Sequence, residues 1–171
     1  EFLSSSTLRI NKITKKMPSM TFKNTFSLGK KIIGDNQPSY LIAEIGLNHN
    51  GDLSLAKKLI DEAINAGADA VKFQSYRAEN RVSKTGKTSR YVEKVLGIEE
   101  TDYEMLKKYQ LSFTQMKSLF QYARRKKIEV FSAPFDLVSV DELEKLNINF
   151  YKLASFDLIN LPLVEKVAKT M

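Results

Sequence analysis

Four stretches of this chain carry an apolar run into residues able to hold a charge or move a proton. Tyr40-Leu41-Ile42-Ala43 leads into Glu44, followed by a polar turn of Asn48, His49, Asn50 and Gly51. Ala70-Val71 leads into Lys72 and Gln74. Ile128 to Phe131 leads into Ser132. Phe150-Tyr151 leads into Lys152, with Ser155 and Asp157 just beyond. A carboxylate at the end of a buried strand costs desolvation energy unless it is paired or in use. Two lysines, two hydroxyls and amides on one face suit an anion, most simply a phosphate that also bears a carboxylate. Glu44 among them suits acid–base work or a contact to a hydroxyl.

Taken singly, these residues have plainer readings. A lone Lys near a strand end is usually solvated, and Ser132 or Ser155 alone reads as a turn or cap residue. His49 is the only histidine, so it cannot build a multi-histidine metal site and reads as a turn residue. Gly86-Lys87-Thr88 fails as a phosphate loop, because Arg81 stands where the first glycine belongs and no strand leads into it. What favours function is recurrence: polar residues return at the same end of four consecutive strands.

The elements that must position them are legible. The first strand is Tyr40–Ile45. Asp52 is the expected N-cap of a helix whose Ala56, Leu59, Ile60, Ala63 and Ile64 form one stripe, stopped by Gly67. Ala70–Gln74 is the second strand. The connection from Ser75 to Leu111 far exceeds the usual loop of about 4–6 residues. It is expected to act as a lid and to carry short helices at Ser89–Leu96 and Thr101–Tyr109. Ser112-x-x-Gln115 reads as a capping box for a helix with Phe113, Met116, Leu119, Phe120 and Ala123 inward. Arg124 to Lys127 place positive charge at its end. Ile128–Phe131 is the third strand. Ser139-x-x-Glu142 reads as a second capping box, for a helix burying Val140, Leu143 and Leu146. Phe150–Leu153 is the fourth strand, and Asn160 or Leu161 opens the last helix with Pro162 in its first turn and Leu163, Val164, Val167 and Ala168 as its apolar face. Four strand–helix units imply a parallel α/β sheet, either doubly wound or a (β/α)8 barrel. Both architectures place function at the carboxyl ends of the strands.

Composition narrows the class. Hydrophobic content of 43% and charged content of 27% are ordinary for a globular chain of 171 residues. The absence of cysteine excludes disulfides and thiolate metal sites. The net charge of +7 is concentrated at one end. Residues 1–38 hold seven Lys/Arg against Glu1 and Asp35, a net of +5, and the rest hold 20 against 18, a net of +2. The division expected is therefore a basic, largely disordered lead-in over 1–38, with 1–19 disordered and a short hairpin or extended lead-in over Phe22–Ile33, and a folded domain over 39–171. A nearly neutral folded part argues against a nucleic-acid partner. No apolar run of about 20 residues suggests a membrane span, and no signal-like apolar segment is seen, so a cytoplasmic protein is expected.

Five motifs in order, Ala43-Glu44-Ile45-Gly46-x-Asn48-His49-x-Gly51, Lys72-Phe73-Gln74, Ser132-x-Pro134-Phe135, Lys152-x-x-Ser155 and Asn160-x-Pro162-Leu163, together resemble the sialic acid synthase family. The resemblance runs from about Tyr40 to the last residue. It implies a (β/α)8 TIM barrel followed by a small antifreeze-like domain, of which this chain would hold the N-terminal barrel half only. It implies condensation of phosphoenolpyruvate with N-acetylmannosamine or a related N-acetylated sugar, giving a nine-carbon sialic acid and phosphate. By motif, Lys72, Ser132, Lys152 and Ser155 would hold phosphoenolpyruvate. Gln74, Glu44 and Asp157 would meet the sugar, with Glu44 also the catalytic group. Ala133 stands where the family commonly has Thr. The resemblance further implies a divalent metal, manganese or magnesium, with its ligands outside this chain, and a homodimer in the full-length family. The expectation is then a truncated synthase, inactive alone. The alternative is a non-catalytic half-barrel that self-associates or binds a phosphorylated ligand.

Overall fold

The computed structural model describes residues 24–29, 31–85 and 100–170. Contacts divide the chain into Glu1–Pro38 and Ser39–Met171. In the first unit, β1 (Thr25–Leu28) and β2 (Lys31–Gly34) pair antiparallel, with Thr25 opposite Gly34 and Leu28 opposite Lys31. Gly29, expected at a turn, adopts a φ of 58°, which glycine takes without a Cβ penalty. The stretch 1–19 lies outside the described residues, as do Gly86-Lys87-Thr88 and the helix expected at Ser89–Leu96.

The second unit is a parallel sheet in the order β3 (Ile42–Gly46), β4 (Ala70–Ser75), β5 (Glu129–Pro134). Helix α1 (Leu53–Asn65) connects β3 to β4. The long connection to β5 holds α2 (Ala78–Arg81), α3 (Asp102–Tyr109) and α4 (Phe113–Arg125). Local chemistry sets the helix starts. Asp52 Oδ1 accepts from the Ser54 and Leu55 amides at 2.6 and 3.2 Å. Thr101 with Glu104 and Ser112 with Gln115 each close a full capping box.

The core lies between the helices and one face of the sheet. Ala56, Ile60 and Ala63 of α1 and Met116, Leu119, Phe120 and Ala123 of α4 meet Ile45, Val71, Phe73 and Val130. Side chains alternate along a strand, so Val71 and Phe73 facing the helices turn Lys72 and Gln74 to the opposite face. That parity is what makes a site possible on this sheet.

Two expectations change. Helix α5 (Leu137–Glu144) is capped by Asp136, not by Ser139 with Glu142. Asp136 Oδ1 accepts from the Ser139 amide at 2.8 Å and Oδ2 from the Ser139 hydroxyl at 3.1 Å, while Glu142 pairs with Arg77. Asp satisfies the open amides of a first turn at least as well as Ser, and it lies three residues nearer the end of β5. The fourth strand is also absent among the described residues: 150–154 run beside β5 without ladder hydrogen bonds. Side chains hold that segment instead, with the Phe150 ring 4.2 Å from that of Phe131. A 3-10 helix (Ser155–Ile159) begins at once and turns the backbone out of strand geometry. Helix α6 (Leu161–Ala168) follows with Pro162 in its first turn, and its Leu163 and Val167 pack with Val140 of α5.

Candidate active site

Strands β3 and β4 carry the centre of the site. Glu44 and Lys72 are register partners, and Lys72 Nζ ion-pairs with Glu44 Oε2. The Lys72 side chain is 10% exposed and that of Glu44 50%, so the ammonium has given up most of its water and takes the carboxylate in exchange. The pairing register breaks between Glu44 and Gly46, where Gly46 adopts a φ of 54°. A Cβ at Gly46 would lie 2.9 Å from Glu44 Oε1 and 3.3 Å from Gln74 Nε2. The carboxylate and the amide therefore border one space, and glycine leaves it open.

The turn after β3 is locked from within. His49 Nδ1 accepts from the Gly51 amide at 3.0 Å, and the buried ring leans on Phe73 at 6.2 Å. Burial holds the imidazole pKa below its ordinary value, opposed by the Gly46 carbonyl.

Beyond Gln74 the site gains a cation that sequence reasoning missed. Arg81, at the end of α2, donates from Nη1 to Gln74 Oε1 at 3.3 Å. Its guanidinium lies 3.9 Å from the Phe135 ring centroid and 5.0 Å from that of Tyr76. Tyr76 is fixed in turn, its hydroxyl donating to the Leu106 carbonyl at 2.8 Å, and burial pushes its pKa up to about 12. Asp157 is buried, and its Oδ2 has no hydrogen-bond partner among the described residues. Desolvation raises its pKa; a hydrogen bond from Asn160 and the charges of Arg81 and Lys152 oppose that rise. A buried carboxylate oxygen without a donor is a ready acceptor for a bound hydroxyl.

The other residues named from sequence fall unevenly. Glu44, Lys72 and Gln74 come together on one face, and Arg81 links Gln74 electrostatically to Asp157. Lys152 and Ser155 are exposed on the segment after β5. Ser132 is not brought to this face. Its register partner is Phe73, its hydroxyl shares a 2.8 Å hydrogen bond with that of Ser75, and both are buried. Phe73 faces the helices, and Ser132 follows its parity. Ala133 occupies the level of Gln74 instead. Among the described residues no three His, Cys, Asp or Glu side chains gather as a metal site, so the residues present do not by themselves fit a divalent ion. No helix among them is long and apolar enough to cross a membrane.

Comparison with known proteins identifies the family of the chain. The model of the NeuB family matches residues 59–171. The chain is 44% identical over 129 residues to an N,N'-diacetyllegionaminic acid synthase of Campylobacter jejuni, covering 75% of this chain and 39% of that protein. It is 35% identical over 137 residues to the human N-acetylneuraminate-9-phosphate synthase, covering 80% and 38%. It superimposes with a TM-score of 0.70 on the crystal structure of an N-acetylneuraminic acid synthetase from Leptospira borgpetersenii in complex with citrate, at 33% identity, covering 85% of this chain and 46% of that one. The parallel sheet with its flanking helices is thus part of a (β/α) barrel. The chain spans about two fifths of the length of the curated relatives it matches.

Proposed function

Because the chain belongs to the NeuB family, we propose that it carries the phosphoenolpyruvate- and sugar-binding half of a sialic-acid-type synthase site. The reaction joins C3 of phosphoenolpyruvate to the aldehyde carbon of N-acetylmannosamine or a related N-acetylated sugar. Water adds at C2 and phosphate leaves with its bridging oxygen. One observation carries this reading: Glu44, Lys72 and Gln74 converge on a single face of β3 and β4.

In this reading Lys72 neutralises the anion of phosphoenolpyruvate from inside the sheet, and Lys152 and Ser155 approach from the segment after β5. A substrate anion competes with Glu44 for the Lys72 ammonium. Displacement frees the Glu44 carboxylate to accept a proton from a sugar hydroxyl or to orient it. Gln74 and Asp157 meet the sugar's polar groups.

These 171 residues on their own are expected to bind phosphoenolpyruvate without turning it over, since the matched segments are about two fifths of the relatives' length. Calorimetric titration with phosphoenolpyruvate should show saturable binding that Lys72→Met abolishes. A phosphate-release assay with N-acetylmannosamine and manganese should stay at background. No binding would overturn the functional reading; turnover by the isolated chain would overturn the half-site.

A second reading rests on a specific surface. Phe156, Leu158, Ile159 and Leu161 are exposed by 62–88%. An apolar cluster of this kind suits self-association of a non-catalytic half-barrel. A discrete symmetric dimer in sedimentation, with no affinity for phosphoenolpyruvate, would favour it.

A further inference from the structure

Arg81 belongs to no motif that led to the site, yet it makes the contact that decides how Gln74 is presented. A glutamine amide can offer either its oxygen or its NH2 to a ligand, and which end faces outward is set by what the other end touches. Arginine has donors only, so the atom turned toward it must be the Gln74 oxygen, as the 3.3 Å contact has it. The amide nitrogen is then left toward Gly46, where Glu44 Oε1 borders the same space. That space has a donor on one side and an acceptor on the other. A hydroxyl, which accepts and donates at once, satisfies both.

The guanidinium is itself held in place. Phe135 and Tyr76 lie against it, Phe135 stacks on Phe156 with centroids 5.7 Å apart, and the Tyr76 hydroxyl is tied to the Leu106 carbonyl of α3. The Ala78 amide at the start of α2 donates to Gln110 Oε1 at 2.9 Å, fixing the short helix that carries Arg81. A planar cation lying over two anchored rings has little freedom to release the amide.

We propose that Arg81 is a positioning residue: it locks the Gln74 side chain with its oxygen inward, so that the amide nitrogen and Glu44 together recognise a substrate hydroxyl. This rests on the sugar-binding role given to Gln74 above, and the experiment separates the two. The lock is read without ligand in the side-chain amide NMR spectrum of the 171-residue chain, with Gln74 assigned by its loss in Gln74→Ala. The Gln74 NH2 pair should be well dispersed, collapse to solvent-exposed shifts in Arg81→Met, and recover in Arg81→Lys. A pair unchanged in Arg81→Met would overturn the proposal.

Titration with N-acetylmannosamine reads recognition. Arg81→Met should weaken sugar binding about tenfold, as the loss of one well-placed hydrogen bond would, with phosphoenolpyruvate affinity unchanged. Gln74→Ala combined with Arg81→Met should be no worse than Gln74→Ala alone, because one residue acts through the other. Losses that multiply, or an equal loss for phosphoenolpyruvate, would overturn it. If the unsubstituted chain binds phosphoenolpyruvate but no N-acetylated sugar, the sugar-binding reading falls and with it the recognition step, while the NMR result still decides the lock.

Discussion

Lys72 and Glu44 face each other across β4 and β3 as register partners, and the ammonium is far more buried than the carboxylate it pairs with. That asymmetry makes the two ends of the ion pair unequal. Glu44→Gln leaves a desolvated cation without its counter-charge, and should cost about 1–2 kcal/mol of stability, discounted because half of Glu44 is already in water. Lys72→Met leaves only a half-hydrated carboxylate and replaces a buried charge with an apolar chain of similar length. It should be close to neutral in stability. Urea denaturation of the two variants checks the order; an equal or inverted pair of losses would mean that the carboxylate, not the ammonium, is the strained partner.

Asp136 joins two connections in one carboxylate. Besides capping α5 through Ser139, its Oδ2 accepts from the Arg77 amide at 2.6 Å, tying the loop after β4 to the loop after β5. Asp136→Ala should cost about 2–3 kcal/mol, a lost N-cap plus a buried amide left without an acceptor. Asp136→Asn keeps one acceptor oxygen but turns its NH2 toward the other backbone amide, and should lose at least half of that. Ser139→Ala should be milder still, because the cap amide survives.

The turn after β3 predicts a pH dependence. His49 is the chain's only histidine, and burial lowers its folded pKa below the unfolded value of about 6.5. The unfolded chain then binds more protons between the two values. Stability is therefore complete above about pH 6.5 and falls as pH drops toward the folded pKa. Thermal melts between pH 7.5 and about 5 should show this decline, and His49→Gln should flatten it. Asp157 works with the opposite sign. Its folded pKa is raised, so its protonated form favours the fold, and stability from this group is lost as pH rises through that folded value. Asp157→Asn should remove this group's share of the pH dependence.

How much of this was legible in the sequence depends on parity and distance. Glu44, Lys72 and Gln74 were found because each ends an apolar run, and strand ends in such a sheet share one rim. Ser132 ends a run too, but its face depends on whether it aligns with Phe73 or with Lys72. That register is a tertiary fact, and a one-residue change flips the side chain. At α5 the Ser-x-x-Glu pattern at Ser139 points to a start one turn too late, because Asp136 caps the helix by accepting from the Ser139 amide. The fourth strand has the right composition, yet at the edge of β5 it forms no ladder, and the Phe150–Phe131 contact holds it instead. Arg81 carries no signal in the sequence because its partners, Gln74 seven residues back and Phe135 just past the end of β5, meet only in the fold.

The proposed role of the β3 and β4 face is to bind phosphoenolpyruvate through Lys72. The most direct measurement is calorimetric titration of the 171-residue chain with phosphoenolpyruvate, beside Lys72→Met and Ser132→Ala. Saturable binding to the unsubstituted chain, lost in Lys72→Met and kept within about twofold in Ser132→Ala, is the result predicted from a buried cation on one face and a hydroxyl on the other. Binding that survives in Lys72→Met, or that depends on Ser132, would contradict it.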